Sequence, residues 1–319
     1  MRLSSILRFN RAARRLVGDE PRWLGADRLP GSANPAPQPN DDESIAAFLR
    51  RGRYSRSFVE QFLVPFGAAI WSADPATFTQ FPMRSYARFM DNHGLLRSTR
   101  RTQWRTITGG SRRYVDALTA PFADRIRVAA PVHKVVTRRA AGAASQVEVL
   151  TDRGPECFDH VIVAAHSDQA LRMLGDATPA EQSVLGAIGY QPNTATLHTD
   201  ARFLAREPRA RASWNYAVAR DSRRATVTYW MNLLQGIEST RPILLTLNRS
   251  DEVDPARVLA EFAYQHPVFD AAAIRAQRRR AEIQNVRGIS FAGAYWGYGF
   301  HEDGVQSGLE VARAIAGMP

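Results

Sequence analysis

The residue pattern predicts a mixed α/β fold in which two domains interleave along the chain. Three observations carry that prediction. A nearly continuous apolar run at residues 160–165 reads as a strand covered on both faces. Four strand-like segments between residues 194 and 247, separated by polar turns, read as an antiparallel sheet. The last thirty residues return to a strand, a glycine-rich loop and a helix. The buried-strand texture therefore occurs on both sides of the antiparallel texture, and two sequential domains do not explain that order.

Taken in order, residues 1–17 are basic, free of acids and compatible with a helix. Leu3, Ile6, Leu7, Asn10, Ala13 and Leu16 or Val17 fall near one face. Such a segment is either an ordinary surface helix of the fold or a peripheral membrane-contact helix. Residues 25–43 are rich in Pro, Gly, Asn and Asp and read as a loop. Helices are expected over 44–51 and 55–64. Gly109 and Gly110 open a further helix over 111–120. Short strands follow over 125–129, 132–137 and 146–151, then the apolar run, and a helix begins near 171. The antiparallel segments are 194–199, 213–218, 226–231 and 243–247. Residues 255–264 and 271–280 have helical composition. A strand over 289–292 and a helix over 304–316 close the chain.

Composition narrows the function. The 319 residues are 45% apolar, enough for a real core, and no apolar run reaches the length of about 18 residues that a membrane span needs. The net charge of +11 comes almost wholly from scattered arginines, since Lys134 is the one lysine. Scattered arginine on helix faces points away from a nucleic-acid partner. The single cysteine, Cys157, cannot form an internal disulfide and fits a reducing, cytoplasmic setting. The chain has no G-x-S-x-G, H-E-x-x-H or P-loop motif. His301, Glu302 and Asp303 are adjacent and would point in different directions, so no metal is expected there.

The chemistry-bearing segment is the C-terminal strand–loop–helix. Gly293, Gly297 and Gly299 let backbone approach a neighbour closely. The helix that follows places Val305, Gly308 or Leu309, Ala312 and Ile315 on one face. Its N-terminus offers free N–H groups and partial positive charge to a bound group. The segment GISFAGAYWGYGFHEDG resembles the flavin-contacting motif of FAD-dependent amine oxidases and related desaturases. Three further phrases carry the likeness: TGGS before a helix, Pro131-Val132, and the strand DHVIVAAH ending at Ala164 and Ala165.

The resemblance implies an FAD-dependent oxidoreductase that removes a hydride from an amine or from a lipid-like C–H substrate. It implies cofactor contacts at Gly109, Gly110, Val132, Ala164, Gly293, Glu302, Asp303 and Gly304, with His301 beside the ring as a catalytic candidate. It places Trp71, His93, Trp104, Asn232, Gln235 and His266 in the substrate domain, with Trp104, Asn232 and His266 as pocket candidates. It divides the chain into substrate-domain helices (1–100), part of an incomplete Rossmann-like FAD-binding domain (101–178), a substrate-domain sheet with helices (179–280), and the FAD-binding C-terminus (281–319).

The chain departs from that family in two respects. A dinucleotide-binding βαβ unit carries G-x-G-x-x-G, and none occurs here. FAD binding by this chain alone is therefore expected to be weak. Either the chain is an N-terminally truncated enzyme, whose missing unit a separate segment could supply, or it is a non-catalytic remnant or partner subunit. The second departure is lysine. The family's lysine lies on a substrate-domain strand, whereas Lys134 stands two residues after Val132. That favours C–H substrates other than amines as a rival.

Overall fold

The computed structural model describes residues 3–18, 43–97, 105–138, 146–217 and 226–317. Among these, the strands are β1 (Val132–Arg138), β2 (Gln146–Thr151), β3 (Gly154–Phe158), β4 (Val161–Val163), β5 (Tyr190–His198), β6 (Trp214–Tyr216), β7 (Val227–Trp230), β8 (Leu244–Leu247), β9 (Val258–Pro267) and β10 (Ile289–Phe291). They form a β1-β2-β3 meander, a parallel β10-β4 pair and a five-stranded sheet in the order β6-β7-β8-β5-β9. No described helix is long and apolar enough to cross a membrane.

The chain forms two units, each gathered from separated stretches. One contains Met1–Asp19, Glu43–Ile126 and Gln191–His266; the other contains Arg127–Tyr190 and Pro267–Pro319. Among the described residues the crossings lie at 126/127, 190/191 and 266/267, whereas the sequence pattern set them at 100/101, 178/179 and 280/281. Two of the three differ because strands, not linkers, carry the chain across: β5 begins at Tyr190 and β9 ends at Pro267.

In the first unit, the helix Leu3–Val17 buries Phe9, Ala13 and Val17, one residue per turn on a single face. The Phe9 ring meets those of Phe48, Tyr54, Phe58 and Tyr86 at centroid distances of 6.0, 5.8, 5.6 and 6.4 Å. The basic face is engaged too. Arg8 lies 4.3 Å over the Tyr54 ring, and Arg14 donates to the Leu96 carbonyl at 3.0 Å. Leu3 and Leu7, on the same helix, stay 69% and 44% exposed. On the sheet, Ala195, Val227 and Leu247 pack with Ala69 of the helix Val64–Trp71. The alternate residues Thr196, Thr246 and Thr228 share one cross-strand row and are also buried.

Two sequence expectations fail. Residues 255–264, expected helical, are largely β9, which pairs along β5. Helix propensity differs by only a few tenths of a kcal/mol per residue, and the backbone ladder overrides it. Residues 125–129, expected as a strand, follow the short 3₁₀ segment Ala120–Arg125 without strand pairing.

The second unit has its own core, with Val135, Val147, Val163, Leu185, Ile188, Ile289 and Phe291 at its centre. Arg287 binds it together. Its guanidinium reaches Asp176 at 2.7 Å, Glu181 at 2.8 Å and the Thr137 hydroxyl at 2.8 Å. Glu181 is 1% exposed, so removing Arg287 would leave a buried charge unpaired.

Candidate functional site

Ala164 and the C-terminal candidate residues lie by a parallel strand pair in the second unit. β10 lies parallel to β4 with Phe291 opposite Val163, and Ala292 donates to the Val163 carbonyl at 3.1 Å. Ala164 and Ala292 are therefore the next residues along two adjacent strands, and Gly293 follows Ala292. In sheets of this kind, ligands bind beyond the carboxyl ends of the strands.

The loop after β10 is held by side chains with no recognisable sequence signature. Gln277 donates to the carbonyls of Tyr295 and Gly297 at 2.8 and 2.7 Å. The Gln284 amide pairs with both the N–H and the carbonyl of Phe291, as a neighbouring strand would. Buried Ser307 accepts from the Gly293 N–H at 2.7 Å and donates to the Gly304 carbonyl at 3.1 Å. Arg280 pairs with Glu310 and donates to the Ser307 carbonyl at 3.1 Å.

The glycines serve distinct purposes. A Cβ at Gly293 would lie 2.3 Å from the Tyr295 ring, and one at Gly297 would lie 2.1 Å from the Asp303 carboxylate. The close neighbours of these two glycines are thus the loop's own side chains. Gly299 has φ +91°, a conformation that favours glycine. At Gly304 a Cβ would meet only Ala294 atoms, at 3.9 Å. Gly304 therefore keeps open space beside the first turn of the helix.

That helix is His301–Ala316, three residues longer at its start than expected. Asp303 turns inward and accepts from the Phe300 N–H at 2.9 Å. Glu302 runs along the surface and accepts from Gln306 at 2.6 Å. His301 is exposed at the first helical position. The buried face is Asp303, Ser307 and Val311. Val305, Leu309 and Ile315, which the sequence places on one face, are 45%, 42% and 41% exposed.

Titratable groups flank both ends of β4. The His166 ring stacks on Tyr190 at 4.5 Å, and the Tyr190 hydroxyl accepts from the Ser167 N–H at 2.9 Å. Burial raises the Tyr190 and Tyr295 pKa values, so both phenols stay neutral. His160 bonds Ser290 at 3.0 Å, and burial lowers its pKa.

The other expected residues separate. Val132 opens β1 and is 37% exposed. Gly109 and Gly110 have φ of +83° and +85° and belong to the first unit. Lys134 is on β1, and its side chain fills the space where Gly175 lacks a Cβ. Trp104 lies outside the described residues. Trp71 is a core residue of the first unit, with its ring 4.7 Å from that of Phe89. His93 bonds the Phe89 carbonyl at 2.8 Å, and Gln235 ends the short helix Met231–Gln235. Asn232 accepts from the Ile243 N–H and the Trp230 indole, and donates to the carbonyls of Ile237 and Arg241. Those four bonds exhaust its amide, so Asn232 organises the 230–243 turn. His266 is the penultimate residue of β9, with Nδ1 2.9 Å from the Asn193 side-chain nitrogen.

Comparison with known proteins follows this geometry. The family model described as flavin containing amine oxidoreductase matches residues 5–232, more than half of the chain. The β10–loop–helix segment lies outside that match. A sequence comparison with curated proteins finds no match. Cyclohexylamine oxidase from Brevibacterium oxydans IH-35A has a similar structure, with TM-score 0.66 and 15% identity over 99% of this chain and 75% of the other. A putrescine oxidase redesigned in cofactor binding gives TM-score 0.64 at 15% identity, covering 98% and 75%. A fatty acid isomerase from P. acnes that produces CLA gives TM-score 0.62 at 12% identity, covering 98% and 74%. At these identities the likeness is one of fold.

Proposed function

The chain belongs to the family of flavin-containing amine oxidoreductases, and on that premise we propose that it is an FAD-dependent oxidoreductase removing a hydride from an amine or a lipid-like C–H substrate. The observation that carries the placement of the flavin is the open space at Gly304, at the start of a sixteen-residue helix beyond the end of β10. A helix start presents N–H donors and favours negative charge. These residues fit the ring end of a flavin. Gly293, Glu302, Asp303 and Gly304 would hold it through backbone, with Ala164 beside them, and Val132, Gly109 and Gly110 would contact the remainder. A bound flavin supplies two-electron oxidation of a carbon–hydrogen bond.

The chain's own residues do the rest. Ser307 and Gln277 keep the loop in place. His301, exposed at the helix start, would face the substrate and exchange protons. The unit containing β4 and β10 would bind the flavin, and His266 would belong to the substrate-binding part of the chain. The similar folds belong to two proteins named for amines and one named for a fatty acid, which supports both substrate classes. With no G-x-G-x-x-G to meet the pyrophosphate, retention is expected to be weak unless a separate segment supplies that contact.

The test is a visible absorption spectrum taken under dialysis against FAD and again after desalting. A flavin band present in dialysis and lost on desalting is the expected result. No bound flavin at any FAD concentration would favour a non-catalytic partner subunit.

A further inference from the structure

The surroundings of His266 specify more than its position. Asn193, 4% exposed, lies between His266 and Asn248. At one end of this chain of contacts the Thr194 N–H donates to Asn248 Oδ1 at 3.0 Å. A backbone N–H can only donate, so the Asn248 atom it meets is oxygen, and the other amide atom is the NH2 group. That NH2 donates to Asn193 Oδ1 at 2.7 Å. The Asn193 NH2 group then carries two hydrogens to place. One goes to the Gln191 carbonyl at 3.2 Å, which can only accept. The other goes to His266 Nδ1 at 2.9 Å. Backbone groups of fixed polarity at both ends thus orient both amides, which distance alone does not do.

We infer that Asn248 and Asn193 form a relay that fixes the neutral His266 ring as its Nε2–H tautomer. Nδ1 receives a hydrogen bond and carries no proton. Asn193 and Asn248 are positioning residues, acting through the imidazole. The consequence for ligand choice rests on the reading of His266 as a substrate-side residue. A ligand meeting the ring through Nε2 meets a donor, so its matching group is a lone pair, such as a carbonyl or carboxylate oxygen. An ammonium group, which has only donors, does not match it. Within the proposed function, this favours a substrate that offers this ring an acceptor oxygen over a protonated amine docked there.

The experiment is a long-range ¹H–¹⁵N correlation spectrum of the full chain, labelled on histidine. It is recorded at about pH 8, where an imidazole of ordinary pKa is neutral. The chain has seven histidines, and the His266 signals are those lost in His266→Gln. The expected wild-type pattern is a pyridine-type Nδ1 and a pyrrole-type Nε2. Asn193→Asp places a carboxylate against Nδ1 and should move the proton to that nitrogen. A residue that only filled space would move neither signal. A pyrrole-type Nδ1 in the wild type, or an unchanged pattern in folded Asn193→Asp, overturns the inference. If the variants do not fold, the wild-type spectrum alone decides. The signals are read with or without flavin, so a failed flavin reading shows in the absorption spectrum and leaves this result intact.

Discussion

Two long helices, one near each end of the sequence, bury opposite kinds of face. Leu3–Val17 buries Phe9, Ala13 and Val17 among aromatic rings. His301–Ala316 buries Asp303, Ser307 and Val311 and leaves Val305, Leu309 and Ile315 outside. Apolar periodicity alone predicts the same behaviour for both. What a helix buries is decided by what its partner needs. An aromatic cluster needs carbon surface, whereas a glycine-rich loop has N–H and carbonyl groups that need hydrogen-bond partners. The first helix is there for stability, and the second holds a loop in shape.

Substitutions on the two helices should therefore behave differently. Phe9→Ala removes a ring 1% exposed and should cost about 3–5 kcal/mol in urea unfolding. A cost below about 1 kcal/mol would break the contrast from the first side. Ser307→Ala leaves the Gly293 N–H without its 2.7 Å acceptor and should cost about 1–3 kcal/mol. Its mark is a weakening of flavin binding that Phe9→Ala, at temperatures where that variant stays folded, does not share.

Acidification should weaken both units. Burial lowers the pKa of His198 in the first and of His160 in the second. The unfolded chain, with ordinary imidazoles near pH 6.5, takes up those protons first. Their contribution to stability is complete above about pH 6.5 and is lost as the pH falls through the lowered folded values. The urea midpoint should therefore fall from about pH 7 to about pH 5. His198→Asn should flatten that slope without abolishing it, since His160 is shifted in the same direction. The smallest effect is expected at Leu309→Ser on the exposed face of the last helix, within about 0.5 kcal/mol of wild type. A large loss there would mean that this face is covered.

The sequence made some of this legible. The strand at 289–292 and the apolar run at 160–165 appear as β10 and β4, because unbroken apolar stretches ended by glycine or a helix start leave few alternatives. Strands β5 to β8 were marked by β-branched and aromatic residues between polar turns. β9 was not legible, because its Leu, Ala and Glu residues favour a helix and only pairing along β5 makes it a strand. Nor were Gln277, Gln284 and Ser307, whose partners are backbone groups 7 to 20 residues away. Gly293 and Gly297 were recognised as special, but what crowds them is Tyr295 and Asp303. The Asn193–Asn248 pair joins residues 55 apart, beyond the reach of any local pattern.

Equilibrium dialysis against FAD, comparing the wild type with Gly304→Ala, tests the central claim most directly. Among the described residues outside its own helix turn, a methyl group at position 304 meets nothing closer than 3.9 Å, and alanine suits a helix better than glycine. The variant should fold at least as stably as the wild type, so a change in binding reports on the ligand's approach rather than on the fold. The account predicts at least about a tenfold weaker FAD affinity, equivalent to about 1.4 kcal/mol, with an unchanged or raised unfolding midpoint. Equal FAD affinity in the two proteins would contradict it and place the flavin elsewhere.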